Sequence, residues 1–291
     1  MLTQEQIDFY RTNGYVVVKN LLTGEELDRA HRIIDDFLEQ SRTVTEHTTM
    51  FDLEPGHSAS KPMLRRLKTP ARHHPFFDEL LRSDRILDRV AQLIGPDFRT
   101  RGNKLNMKLP RGGSAVEWHQ DFAHYPHTND DLCATGIALD EATMENGCMM
   151  VIPGSHQGPI YDHHQDDYFI GAISPGRDNI DLSGAVPLEL AAGDISIHHV
   201  RTLHGSAPNT SDKPRRFLLF EYAATDAWPA PLMDPDGSVP AVLRGKPTYN
   251  VRYSSMQARV RGPYPETGAG SIYQLHEVIK EEEKVLAAKA E

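Results

Sequence analysis

Between residues 98 and 226 the chain is a succession of short β-prone runs, each closed by Gly, Pro or Asn. Such punctuation restricts this stretch to a sandwich or barrel of short strands. The clearest run spans residues 104–109, where Lys104, Asn106 and Lys108 alternate with Leu105, Met107 and Leu109. A period of two puts the polar set on one face and the apolar set on the other. Further strands are expected at 135–139, 147–152, 186–190, 194–198 and 217–222.

Helices come first in the chain. Thr3 and Gln6 make a capping box, and Gly14 is a natural stop. Tyr15 to Val18 is β-branched and aromatic, and reads as a strand. Thr23 and Glu26 form a second capping box, opening a helix to about Gln40 with Leu27, Ala30, Ile33, Ile34 and Leu38 on one face. A helical pattern starts at His74, breaks at Ser83 and resumes to Gly95. Residues 41–70 are polar and irregular and read as a long loop. Residues 271–290 read as a charged amphipathic helix. With no repeat and no clear linker, the expectation is a single domain over residues 1–291. Its class is mainly β with flanking helices, around a double-stranded β-helix (jelly roll, cupin-like) core.

Composition narrows the function. A net charge of −10 leaves no basic surplus for nucleic-acid phosphates. No apolar run is long enough to span a bilayer, and the first residues lack the basic and apolar regions of a secretory signal. Two cysteines, Cys133 and Cys148, are too few for a disulfide framework or a zinc cage and read as reduced thiols. The expectation is a cytoplasmic protein acting on a small molecule; oligomeric state stays open.

Among fifteen histidines, two carry chemistry by their setting. In an extended segment 116–121, His119 and Asp121 point the same way. His204, placed at the end of a strand over residues 195–203, supplies a distant third ligand. Two imidazoles and one carboxylate are the facial triad of non-haem iron oxygenases, which leaves three coordination positions open. A second His-x-Asp, His164-Gln165-Asp166, lacks strand alternation and reads as a solvated loop or a lid facing the substrate. Behind His204 the turn-forming run 205–214 leads into Arg215-Arg216. A hairpin here would bring one of these two arginines beside His204, where its fork could hold a carboxylate. Ser206 could bond the same carboxylate.

These segments, together with Gly14-Tyr15-Val16, Glu145-Asn146-Gly147-Cys148, Ile152-Pro153-Gly154-Ser155-His156 and Ala192-Gly193-Asp194, resemble the phytanoyl-CoA dioxygenase family of Fe(II)/2-oxoglutarate oxygenases. The likeness covers about residues 5–225. It implies a jelly roll with Fe(II) on His119, Asp121 and His204. It also implies 2-oxoglutarate as co-substrate on Arg215 and Ser206, with Asn106 contacting it, and O2 as the second co-substrate. Residues 118–131, 200–204 and 222–228 resemble the hypophosphite-oxidising branch of that family. The implied reaction hydroxylates a small polar or anionic substrate, hypophosphite or a phosphonate, and releases succinate and CO2. The alternatives are hydroxylation of a compatible solute or natural-product intermediate, or a metal-binding jelly roll that is not an oxygenase. No cationic segment suited to a CoA tail is visible.

Parity supplies substrate candidates. Lys104 and Lys108 share a face with Asn106. His124, Tyr125 and His127 lie just past the ligands. His198 shares the facing of His204, while Arg201 should face away unless a bulge intervenes; both stay in the set, which would suit a small oxyanion.

Overall fold

A computed structural model describes residues 1–165, 168–173, 180–230 and 241–246, with Ser254 and Tyr273. The elements run α1 (Gln4–Asn13), β1 (Tyr15–Val18), α2 (Gly24–Gln40), β2 (Phe51–Leu53), β3 (Leu64–Lys68), α3 (Pro70–His73), α4 (Pro75–Leu81) and α5 (Asp84–Ile94). They continue with β4 (Phe98–Lys108), β5 (Val116–His119), α6 (Asp121–His124), β6 (Leu132–Ala138), β7 (Met149–Val151), β8 (His164–Gln165) and β9 (Tyr168–Phe169). The last are β10 (Val186–Leu188), β11 (Ile195–His199), β12 (His204–Ser206), β13 (Arg215–Ala224) and β14 (Val242–Arg244).

Two antiparallel sheets form the jelly roll. The larger has the order β1-β11-β6-β13-β4-β3-β2, with β14 also on β4; the smaller is β10-β7-β12-β5. Alternation along β4 sorts the larger sheet's faces. Leu105 and Met107 join Ile137, Ile197, Leu218, Phe220 and Tyr222 in the main core. Over them pack α1, α2, α4 and α5 through Ile7, Ile33, Ile34, Phe77, Ile86 and Val90. Each such side chain contributes roughly 1.5–3 kcal/mol when fully buried. The opposite face, with Lys104 and Asn106, looks toward the smaller sheet.

Local signals in the helical region hold. Thr3 and Thr23 each accept a backbone N–H at the third helical position, and Gln6 and Glu26 return the bond. Gly14 closes α1 at φ 79°, a left-handed conformation that favours glycine. The break at Ser83 separates α4 from α5.

The expected loop 41–70 is interrupted by β2 and β3, and the second of these was hidden. The reason is a bulge: Asp52 opposes Arg66 while Leu53 opposes Leu64, so Arg65 is an extra residue. The bulge breaks the period of two that would have marked the strand. The expected strand 195–203 ends at His199, and His204 opens a separate strand. β11 belongs to the larger sheet and β12 to the smaller, joined by a turn at residues 200–203. The helix expected over 271–290 lies outside the described residues, Tyr273 apart. Among the described residues, no helix is long and apolar enough to cross a membrane.

Asp194 ties β1 to the start of β11. Its side chain is almost fully buried and accepts from Lys19 Nζ at 2.8 Å, Asn20 N at 2.9 Å and Ala191 N at 3.0 Å. Burial works against its charge, but the Lys19 ammonium and the backbone donors win and hold its carboxyl below the usual range. Asp194→Ala should therefore cost about 3 kcal/mol at neutral pH, read from urea unfolding, because buried donors lose a charged acceptor. A lowered native pKa gives stability that is present above the unfolded value and lost as pH falls through the native one. The gap between wild type and variant should accordingly narrow on acidification; an unchanged gap would contradict this role.

Candidate active site

β5 and β12 are neighbours in the smaller sheet, and His204 sits directly opposite His119. Their ring centroids are 4.1 Å apart. Asp121 is not on the strand as expected, because β5 ends at His119 and Asp121 opens the short α6. Gln120 between them is still extended (φ −116°, ψ 128°), so the i, i+2 relation survives the change of element. One donor atom from each of His119, Asp121 and His204 lies within 4.8 Å of the others, and all three residues are buried.

The donor set suits a divalent ion. His119 Nδ1 donates to Glu117 O and His204 Nδ1 to Thr202 O, each at 2.8 Å. Each bond puts the proton on Nδ1 and leaves the Nε2 lone pair for a metal, as backbone partners commonly do for ligating histidines. Burial, then the neighbouring His204, keeps His119 well below its usual pKa, and burial pushes His204 down to about 4. Burial would raise Asp121, but Lys104, His198 and His204 together hold its carboxyl well below the usual range. Two neutral imidazoles and a carboxylate are the protonation states that metal binding requires.

A cavity between the sheets extends from this triad to Arg215. Lys104, Asn106, Ser206, Phe217 and Leu219 line it as well. The two arginines separate by parity. Arg216 faces outward onto Asp140 through Nε at 2.8 Å and Nη2 at 2.6 Å. Arg215 faces inward, almost fully buried, over the Phe217 ring. It does not reach there by a hairpin with β12, as the sequence suggested. β13 pairs with β4 and β6 in the larger sheet, and Arg215 meets the His204 region across the cavity. Arg215 Nε and Asn106 Oδ1 are buried and find no hydrogen-bond partner among the described residues. Such orphaned groups on a cavity wall are costly unless a ligand satisfies them.

Lys108, expected among the substrate candidates, lies at the Arg215 end of the site. It lies opposite Arg215 and donates to Ser206 Oγ at 2.8 Å and to Ala207 O. Burial, then the Arg215 charge, pushes its pKa down to about 6. Tyr273, which the sequence reading passed over, packs its ring over Arg65 and Arg66. Only tertiary packing could have placed it there.

The remaining candidates divide. Lys104 lines the cavity and pairs with Glu221 at 3.0 Å. Tyr125 is buried, donates its backbone N–H to the Asp121 carbonyl and lies under the Arg101 guanidinium. His124 meets the His119 ring edge-on at 5.4 Å, and its Nε2 donates to Gly171 O at 2.9 Å. His198 contacts Asp121. His127 is buried against the Tyr125 carbonyl and does not line the cavity. Arg201 is turned away from the site, onto Asp130 at 2.7 Å and the Gly158 carbonyl; the turn after β11 carries it outward.

Of the two readings of the second His-x-Asp, the solvated loop does not fit His164 and Gln165, and Asp166 lies outside the described residues. His163 and His164 are buried, and β8 pairs with β9. His163 Nε2 accepts from Gln120 N at 2.8 Å, while the buried Gln120 amide bonds Pro159 O, Arg201 O and Tyr161 N. These two residues brace the segment between the ligands.

Residues 10–217 match the family model described as phytanoyl-CoA dioxygenase (PhyH). The chain belongs to the phytanoyl-CoA dioxygenase family. It is 38% identical over 229 residues, 77% of this chain and 80% of the other, to a probable alpha-ketoglutarate-dependent hypophosphite dioxygenase of Stutzerimonas stutzeri. A methylphosphonate hydroxylase of Gimesia maris is 27% identical over 223 residues, 77% and 81% of the two chains. EctD from S. alaskensis with bound Fe shares the fold at TM-score 0.69 and 21% identity, covering 86% of this chain and 89% of that one. By class, then, this family member is an Fe(II)- and 2-oxoglutarate-dependent dioxygenase of a small molecule.

Loss of Arg215 should act on the co-substrate. Arg215→Ala should raise the KM for 2-oxoglutarate roughly a hundredfold, since a buried charge-assisted contact is worth a few kcal/mol. Arg216→Ala should leave it close to wild type. Succinate release against 2-oxoglutarate concentration measures both, and equal KM values would refute the assignment.

Proposed function

We propose that the enzyme oxidises a small phosphorus oxyanion, hypophosphite or a short phosphonate, at an iron held by His119, Asp121 and His204. The observation that carries this reading is Lys104, a cation on the wall of the metal cavity, in a chain 38% identical to a protein named for hypophosphite. The methylphosphonate hydroxylase among its relatives supports the same substrate class. Burial works against the Lys104 charge, but Glu221 and Asp121 outweigh burial and raise its pKa. An ammonium that stays charged beside the metal ligands suits a compact monoanion. Met149, Phe217 and Leu219 in the same cavity favour a small substrate.

In this reading Arg215, Ser206 and Asn106, with Lys108 behind Ser206, hold the far carboxylate of 2-oxoglutarate. Bound iron, with O2 and 2-oxoglutarate, supplies the oxidant that inserts oxygen into a P–H or C–H bond, with succinate and CO2 released. For hypophosphite the product is phosphite. The protein's own share is placement and the exclusion of water. Lys104 orients the anion, His198 holds Asp121, and the apolar side chains dry the cavity. We read residues 1–291 as one such domain and place it in the cytoplasm, consistent with two buried, unpaired cysteines.

The test is substrate-stimulated succinate release with Fe(II), 2-oxoglutarate and O2, using hypophosphite, methylphosphonate, aminoalkylphosphonates and compatible solutes in parallel. Stimulation should be confined to phosphorus compounds, with phosphite formed from hypophosphite. Stimulation by a compatible solute alone would replace the substrate and keep the enzyme class. His119→Ala or Asp121→Ala should abolish turnover. Lys104→Met should raise the KM for the anion roughly tenfold or more, without a matching change for 2-oxoglutarate.

A further inference from the structure

His198 abuts the iron triad from the larger sheet but does not line the cavity. β11 carries it on the larger sheet, opposite Ala134 of β6 and Tyr15 of β1. Its ring is wholly buried and lies 4.7 Å from the His204 ring. Its Nε2 is 3.3 Å from Asp121 Oδ2, whereas Asp121 Oδ1 is the oxygen 3.8 Å from His119 Nε2. Among the described residues, His198 Nδ1 finds no hydrogen-bond partner, so nothing on that side of the ring competes for its orientation.

A carboxylate can ligate a metal through one oxygen or through two. In the two-oxygen mode it takes a position that a chelating 2-oxo acid and O2 need, since together they require three. We infer that His198 is a positioning residue. By donating Nε2–H to Asp121 Oδ2 it restricts Asp121 to ligation through Oδ1 and keeps the third position open. The Lys104 charge also favours the Asp121 carboxylate from the cavity wall, while Lys104 itself pairs with Glu221. His198 approaches from a part of the larger sheet that does not line the cavity, where substrate does not displace it. The inference rests on the proposed iron role of Asp121 and is independent of which substrate is used.

Anaerobic Fe(II) titration of wild type, His198→Phe and His198→Gln tests it, with thermal unfolding as a control. Phe retains a buried ring and lacks the donor; Gln retains an N–H donor at similar reach. His198→Phe should bind Fe(II) roughly 10- to 100-fold more weakly, the usual effect of losing a ligand's hydrogen-bond partner. His198→Gln should stay closer to wild type. Equal affinity of His198→Phe and wild type overturns the inference, as does equal weakening in both variants, which would make His198 a packing residue only. Wild type that binds no Fe(II) removes the triad reading and this inference with it. If the Phe variant does not fold, a crystal structure of Mn(II)-loaded wild type decides. Asp121 bound through one oxygen, with His198 Nε2 on the other, upholds the inference; two-oxygen ligation or a His198 turned away ends it.

Discussion

The cross-strand pairing of His119 with His204 is the constraint from which the rest of the centre is built. Two short strands in a four-stranded sheet bring residues 85 positions apart into direct opposition. Each imidazole is then fixed by its own backbone, through Nδ1 to the carbonyl two residues earlier. Asp121 reaches the pair only because Gln120 stays extended. Gln120 does so under clamps from His163, Pro159, Arg201 and Tyr161. The ligands are thus held by main-chain geometry before any metal is considered.

The larger sheet supplies the opposite wall, and its two faces have different energetics. Its outer face is a conventional apolar core under four helices, and carries the stability. Its inner face carries a half-buried Lys104 and buries Lys108 and Arg215, an arrangement that costs free energy unless each charge is compensated. Lys104 has Glu221. Burial lowers the pKa of both Lys108 and Arg215, and Arg215 keeps an unsatisfied Nε. A dicarboxylate bound between them would relieve the strain that burial imposes on both. The apolar core and the charged cavity wall are therefore separated onto opposite sides of the same strands, by nothing more than the period of two.

Much of this was legible from residues alone. Lys104, Asn106 and Lys108 announce the inner face by alternation, and Thr3, Thr23 and Gly14 announce helix ends by local hydrogen bonding. What failed, failed where a local rule met an irregularity. Arg65 bulges and hides β3. Asp121 lies on a helix start, where a continuous strand was expected. The segment after His199 turns across to the other sheet, which ends the parity count from His198 to His204 and carries Arg201 out to Asp130. His163 and Tyr273 carry no local signal of their roles, since their partners lie far away in the chain.

The amino-acid sequence by itself offered the set of donors: two imidazoles, one carboxylate, a serine and a pair of arginines of which alternation turns only one inward. It did so because side-chain direction along a strand is a local property. Tertiary structure alone decided which sheet each segment joins, that Lys108 attends Ser206 and that His198 attends Asp121. Those outcomes depend on strand pairing between distant segments and on where turns cross between sheets, which no local period encodes.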